Sequence, residues 1–494
     1  MKKIAIQLLI SCLLLGNAAV SSFETSTPEA QGISSQAILD FVNAVEEQVD
    51  ALHSFMLMRH GHVVARGWWA PYNAESPHML YSLSKSFTAT AIGLAIDEGL
   101  LSLDDTVFSF FPDETPAEPS ANLKAMRIRD LLAMNTGHEL DTTGQITNAD
   151  SVTWVEAFLG VPVEFKPGTH FVYNSGASFM LSAILQKVTG ETLLAYLTPR
   201  LFEPLGIKNP TWESNPQGIN MGGWGLKVKT EDIAKFGQLY LQKGMWQEQR
   251  LLSEDWVKAA SSRQTSNGSN PDSDWEQGYG YQFWRCRHNI YRGDGAFGQY
   301  CIIMPEQDAV LAITGGLGDM QKPMTLAWDI LLPAMEDHSL PENAPVQKKL
   351  QNKLATLALK TVSGEASSLH AQKSTGTWIF DQNPYGIKSV TLNFSNNPVT
   401  IKVLDNQGER HIACGHGVWE KSSIPFMSDR PEPVAACGAW IEPHHYQVKL
   451  CAYETPYIQQ LDFNFAGKEL LFDLKFNVSF GSGTWEQLKA LLEL

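Results

Sequence analysis

The sequence predicts a mixed α/β domain followed by a separate all-β module. Three observations predict it. Apolar residues recur at helical spacing through much of the stretch before residue 340. Two strand-like regions, near residues 54–69 and 278–316, interrupt that pattern. After about residue 373 the spacing changes to short alternating runs between turn residues. The 494 residues, 44% hydrophobic and 18% charged, suffice for two or three domains, and such a core needs no disulfide framework.

The chain opens with "MKKIAIQLLISCLLLGNAAVSS". Lys2 and Lys3 precede an apolar run that ends in small residues around Ala18 and Ala19. This pattern predicts a secretory signal over residues 1–20 and a periplasmic or secreted location. The run is too short to span a bilayer comfortably, and no later stretch has the unbroken apolar length of a stable membrane span. "LISC" resembles a lipoprotein cleavage site at Cys12, but the apolar run continues past that cysteine, which argues against anchoring there.

The larger, mixed domain is expected over residues 21–340. "SSQAILDFVNAVEEQV" places Ile38, Phe41, Val42 and Val45 on one helical face behind a serine cap. "SFMLMRHGHVVARGWW" reads as a hairpin around a His-Gly turn. From Ser82 to about Gly99 a helix carries Phe87, Ala91, Leu94 and Ala95, with Gly99 past its end. Residues 126–250 read mostly as helices. In "MRIRDLLAMNTG" the stop is Thr-Gly, "SGASFMLSAILQKVTG" is helical, and "KTEDIAKFGQLYLQKG" has a threonine cap and closes on Gly244. "YGYQFW", "NIYRG", "GQYCIIM" and "AVLAITG" read as strands, and "MQKPMTLAWDILLPAM" as a last helix. Residues 341–372 are polar and form a linker with a short helix. From 373 to 494, runs such as "TWIFD", "SVTLNF", "VTIKVLD" and "LLFDLKF" predict a barrel or sandwich.

Composition also excludes functions. A net charge of −16 and a pI near 5.3 match polyanions poorly, and no Lys/Arg-rich run offsets this, so nucleic acid is not an expected partner. The six cysteines contain no C-x-x-C pair, which argues against thiolate zinc. Cys414 with Cys437 is a candidate disulfide, with buried free thiols as the alternative. "HGH" at 60–62 and His444-His445 do not form H-E-x-x-H. No metal or cofactor is called for, and oligomeric state is not encoded in any visible pattern.

The chemistry centres on "YSLSKSF", residues 81–87. If the helix starts at Ser82, Lys85 shares its face three residues on. A serine hydroxyl becomes a useful nucleophile when a neighbour takes its proton, and the Ser82 N–H can supply half of an oxyanion hole. The bland reading is a capping serine beside a surface lysine. A second element, "FKPGTHFVYNSGASFMLSAIL", sets Tyr173 at a loop-to-helix junction. Lowering a phenol from ~10 to about 7 takes roughly 4 kcal/mol. One ammonium ~4 Å away supplies about that much at an effective dielectric near 20. Lys85 beside Tyr173 is therefore sufficient to ionise it into a general base, the alternative being a packed tyrosine whose hydroxyl finds a partner. A third element, "YRGDGAFGQYCIIM", has glycines that let a strand edge approach a ligand.

In this order the segments resemble the serine β-lactamase and penicillin-binding-protein superfamily. The branch is that of class C β-lactamases with their esterase, D-aminopeptidase and 6-aminohexanoate-dimer hydrolase relatives. The resemblance rests on "MLYSLSKSFTATAIGLAIDEGLLSLDDTV", "MRIRDLLAMNTG", "FKPGTHFVYNSGASFMLSAIL", "GGWGLKVKTEDIAKFGQLYLQKGMW" and "GAFGQYCIIMPEQDAV", spanning about residues 30–336. It implies a central antiparallel sheet flanked by helices, an all-helical lobe, and a cleft between them. It implies acylation of Ser82, proton handling by Lys85 and Tyr173, and an oxyanion hole from Ser82 N–H plus one near Phe297. "CGHGVWE" resembles β-rich C-terminal modules of some such hydrolases.

Two departures from the family pattern bear on specificity. Where the family has Tyr-x-Asn, Asn174 follows Tyr173 directly and Ser175 holds the asparagine position, so either can supply the amide-like contact. Where the family carries Lys-Thr-Gly or His-x-Gly, this chain has Asp294-Gly295-Ala296. An aspartate there repels a substrate carboxylate unless Arg292 or His288 compensates. The expected activity is hydrolysis of an ester or amide, a small molecule or a cell-wall peptide, through a Ser82 acyl-enzyme. The alternatives are a true class C-type β-lactamase or D-Ala-D-Ala carboxypeptidase, and a catalytically inactive cell-wall-ligand binding protein.

Overall fold

A computed structural model of the chain describes residues 23–493. The expected signal segment and Cys12 lie outside the described residues. Helix α1 (Ser35–Gln48) is capped by the Ser34 side chain, which accepts from the Ala37 N–H. Strands β1 (Leu52–Arg59) and β2 (His62–Trp68) form the expected hairpin. With β3 (Trp284–Arg285), β4 (Tyr291–Gly295), β5 (Gln299–Met304) and β6 (Ala309–Gly315) they build an antiparallel sheet ordered β2-β1-β6-β5-β4-β3.

Both faces of this sheet are covered. Phe55, Leu57, Ile302, Leu311 and Ile313 pack against α1 and the helical stretch from Gln321 to Ala334. Met56, Met58, Cys301, Ile303 and Val310 face α4 (Thr230–Leu241), and the same core extends to α2 (Ser84–Asp97) and, packed on α2, α3 (Ser175–Thr189). Two-sided burial explains why "SFMLM" and "AVLAI" are continuous apolar runs rather than alternating ones. Each fully buried Leu, Ile or Phe contributes about 1.5–3 kcal/mol. The short helices between residues 121 and 202 form the helical lobe around Leu131, Phe158, Phe179 and Ile184.

Three local expectations are corrected. The α-helix begins at Ser84, and Ser82 sits in a 3-10 turn, Tyr81–Leu83, that leads into it. The "MRIRDLLAMNTG" helix spans only Ile128–Leu132: Met134 takes a left-handed backbone and the Asn135 N–H closes back on the Asp130 carbonyl. "YGYQFW" yields strand only at its end. The Gly280 N–H turns back to the Phe283 carbonyl, and the Gln282 N–H is taken by Leu132.

The C-terminal module is one ten-stranded antiparallel sheet: β7 (Gly376–Phe380), β8 (Ser389–Asn393), β9 (Val399–Leu404), β10 (Glu409–Cys414), β11 (Glu420–Pro425), β12 (Pro431–Glu442), β13 (His445–Cys451), β14 (Ile458–Ala466), β15 (Glu469–Phe476) and β16 (Leu488–Leu492). Its order is β10-β9-β8-β7-β16-β15-β14-β13-β12-β11. The end of β10 bonds to β12, where the Gly438 N–H donates to the Gly415 carbonyl at 2.9 Å, so the sheet curls into a nearly closed barrel. Alternate residues such as Val390, Leu392, Val448, Leu450, Leu461 and Phe463 fill its interior.

The segment joining the two parts holds a helix, Ala344–Ala355, and is tied at both ends. The Ala70 N–H donates to the Leu357 carbonyl and the Leu359 N–H to Ala70. Glu365 exchanges backbone bonds with Trp440 of the barrel. The described cysteines, Cys414 and Cys437 included, are buried free thiols, so the candidate disulfide is not formed. His60 and His62 border the β1–β2 turn while His445 bonds Asp462 in the barrel. Among the described residues no His, Cys, Asp or Glu cluster could hold a metal. No described helix is long and apolar enough to cross a membrane.

Candidate active site

The turn bearing Ser82 is fixed from two sides. Before it, His78–Met79 pairs with Leu226–Val228 in a small three-stranded sheet, and the Leu80 N–H donates to the Leu226 carbonyl. Beside it runs the end of β4. A Cβ at Gly295 would lie 2.0 Å from the Leu80 carbonyl oxygen, so only glycine lets this strand approach. Tyr81 carries the turn with a left-handed backbone, φ 47°.

Ser82 is partly exposed, whereas Lys85 is 1% exposed. The Lys85 Nζ lies 2.9 Å from Ser82 Oγ, 2.9 Å from Ser175 Oγ and 2.8 Å from the Gly223 carbonyl oxygen. Burial lowers its pKa to about 7, against the opposing charges of Asp141 and Asp294. The three contacts suit a neutral amine. Gly223 can only accept, Ser175 can accept, and the remaining lone pair then faces the Ser82 hydroxyl. The loop bearing Gly223 packs against α3, where an added Cβ would sit 3.0 Å from the Ser175 carbonyl oxygen.

Tyr173 stands over this pair. The Lys85 Nζ is 4.9 Å from its ring centroid, on the face rather than at the hydroxyl. Its ring stacks on Trp284 at 5.2 Å and meets Tyr279 edge-on at 6.1 Å. Burial, then the Asp294 carboxylate, push the phenol well above its usual pKa, and the nearby Ser82 hydroxyl only partly offsets this. The expectation of a lysine-ionised tyrosine base is thus corrected. The lysine is poised near neutrality and the tyrosine keeps its proton, because desolvation opposes both charges.

Of the two candidates after Tyr173, the structure brings Ser175 to Lys85 and leaves Asn174 out. Asn174 is fully buried. Its Oδ1 accepts from the Ala177 N–H, capping α3, and from the N–H and hydroxyl of Thr142. The Asp294 carboxylate is buried against Arg292, with Nε–Oδ2 at 2.9 Å and Nη2–Oδ2 at 2.8 Å. Arg292 is itself 0% exposed, and also donates to the Asp274 carbonyl. Compensation by Arg292 is therefore direct, while His288 lies apart, against Trp328. Gly295 lies against the Ser82 turn. Ala296 accepts from Gln299 Nε2, and Phe297, φ 66°, forms the turn between β4 and β5 with its ring edge-on to Tyr81 at 5.6 Å.

Gly223, Asp141, Tyr81, Trp284 and Tyr279 were missed as site residues. Asp141, whose carboxylate accepts from the Ser175 N–H, had no sequence signal. Gly223 had one, since "GGWG" stands in a segment that carries the resemblance.

Such a polar core, a buried amine on a half-open serine between a helical lobe and an antiparallel sheet, defines a serine hydrolase of the β-lactamase-like fold. The family model described as Beta-lactamase matches residues 42–323, and the chain belongs to that family. It is 25% identical to the 6-aminohexanoate-dimer hydrolase of Paenarthrobacter ureafaciens over 338 residues, 64% of this chain and 85% of that protein. It is 21% identical over 223 residues to a Salmonella agona protein named "Putative D-alanyl-D-alanine carboxypeptidase", covering 40% of this chain and about half, 52%, of the relative. The structure named "Putative 6-aminohexanoate-dimer hydrolase from Bacillus anthracis" superimposes with a TM-score of 0.54 at 18% identity, covering 65% of this chain and 89% of that one.

Proposed function

We propose that the protein is an exported serine hydrolase that cleaves neutral or cationic esters or amides through a Ser82 acyl-enzyme. The observation that carries this is the Lys85 amine, held 2.9 Å from Ser82 Oγ with its pKa lowered to about 7 by burial. In the reaction, Ser82 Oγ attacks the carbonyl carbon while its proton passes to Lys85 Nζ. The backbone N–H groups of Ser82 and Phe297 receive the oxyanion. Tyr173, still protonated, hands a proton to the departing oxygen or nitrogen and recovers one from Lys85. Water then attacks the acyl carbon, gives its proton back through the same groups, and frees the acid and Ser82.

Substrate charge follows from the strand side of the cleft. Arg292 is spent on Asp294 in the interior, so no cation on β4 is left to receive a substrate carboxylate. β-Lactams and D-Ala-D-Ala peptides, which carry that carboxylate, are accordingly expected to be poorer substrates than uncharged esters. The leading "MKK" and apolar run support export.

The experiment is intact-mass analysis of the purified chain after brief exposure to p-nitrophenyl esters, D-amino-acid amides and penicillins. An adduct on Ser82 with the esters or amides, absent in Ser82→Ala, supports the reading. Rapid penicillin turnover that Ser82→Ala abolishes replaces it with β-lactamase, and no adduct with any probe points to a silent binding protein.

A further inference from the structure

The barrel reaches into the hydrolase cleft. Its β13–β14 turn, residues 452–457, and its β15–β16 turn, residues 477–487, lie against the segments that bear Tyr81 and Phe297. The first turn is anchored firmly. The Met79 N–H donates to the Glu454 carbonyl at 2.9 Å, and the Tyr72 hydroxyl to the Thr455 carbonyl at 2.9 Å. Asn477 Nδ2 bridges the Gly316 and Pro456 carbonyls at 3.0 Å each.

From these turns two aromatic side chains meet two of the hydrolase domain. The Tyr457 hydroxyl hydrogen-bonds that of Tyr81. Phe480 meets the Tyr81 ring at 5.4 Å and the Phe297 ring at 4.7 Å, and Tyr457 meets Phe297 at 6.0 Å. Tyr81 immediately precedes Ser82, and Phe297 is the residue given the second oxyanion N–H above. Both rings hang on left-handed backbone, at φ 47° and 66°. Phe480 is 73% exposed although it is a phenylalanine in a turn, and its ring contacts are with these two partners. An exposed ring beside a reacting centre is apolar surface that a substrate can cover.

We infer that Tyr457 and Phe480 of the barrel, with Tyr81 and Phe297, form an aromatic wall of the cleft that selects esters or amides carrying a flat apolar group next to the scissile bond. This rests on the Ser82 acyl-enzyme reading and deepens it. Phe480 supplies contact area and Tyr457 orients Tyr81, so Phe480 and Tyr457 are specificity and positioning residues respectively.

The test uses the full chain and two pairs of esters. One pair varies the acyl part, p-nitrophenyl 3-phenylpropionate against the butyrate. The other varies the alcohol, 2-phenylethyl acetate against ethyl acetate. In at least one pair the wild type should favour the phenyl-bearing ester. Phe480→Ala should lower that preference about tenfold, mainly through KM, and Phe480→Trp should restore it. Tyr457→Phe should lower it less. The pair that responds identifies the side of the scissile bond facing the wall. If Ser82 forms acyl adducts but neither preference changes in Phe480→Ala, the wall is not a specificity element and the inference falls alone. If no ester acylates Ser82, the functional reading falls and takes this inference with it.

Discussion

The two sides of the cleft are built by opposite means. On the helical side, Ser82, Lys85, Ser175 and the Gly223 carbonyl converge within 2.9 Å contacts around one buried amine. On the strand side the charges cancel in the interior, Asp294 on Arg292, and aromatic rings from two domains face the opening. The lesson is a division of labour. Proton transfer needs a few polar atoms at fixed distance, which one helix and its neighbour can supply. Substrate choice needs area, which here is assembled from positions nearly four hundred residues apart in sequence, such as Tyr81 and Phe480.

The comparison is broken most directly at Ser82. Ser82→Ala should cost about 10⁴-fold or more in kcat for any ester turned over, with no covalent adduct by mass spectrometry. Residual activity near the wild-type level would move the chemistry elsewhere. On the strand side, Asp294→Ala strands the Arg292 guanidinium in the interior. It should destabilise the fold by about 3–5 kcal/mol in chemical denaturation. A loss below about 1 kcal/mol would mean that the pair is solvated and Arg292 free to serve a substrate carboxylate. Tyr173→Phe keeps the stack on Trp284 and removes only the phenol, so kcat should fall about 10²-fold with little change in stability. The smallest effect is expected at Asn174. As a helix cap its change to alanine should cost about 1 kcal/mol of stability, read as a shift of the denaturation midpoint. A loss of kcat larger than that of Tyr173→Phe would restore Asn174 as the amide-like contact to substrate.

Much of this was legible in the sequence where local pattern decides structure. The β1–β2 hairpin, α1 with its Ser34 cap, and the alternating barrel strands follow from periodicity and turn residues. The closeness of Ser82, Lys85 and Tyr173, which sit on short motifs, follows in the same way. What was not legible depends on the medium around those residues. Coulomb attraction alone argued for an ionised Tyr173. Burial, which only the packed structure supplies, reverses that order and leaves the lysine as the group poised to lose its proton. Asn174 and Ser175 could not be separated by position, since α3 begins between them and assigns one to the cap and the other to the cleft. Tyr457 and Phe480 carry no motif. They lie in turns of a module whose docking onto the hydrolase domain no local pattern encodes.

The central claim is that Lys85 is the proton acceptor for Ser82, and the pH dependence of kcat/KM for a neutral p-nitrophenyl ester tests it. Only the unprotonated amine can accept, and burial lowers its pKa to about 7. The rate should therefore climb with rising pH through about 7 and level off above it, and Lys85→Arg should abolish both rate and limb. A rate that climbs only near the ordinary lysine value of ~10.4, or one that Lys85→Arg leaves intact, would contradict it.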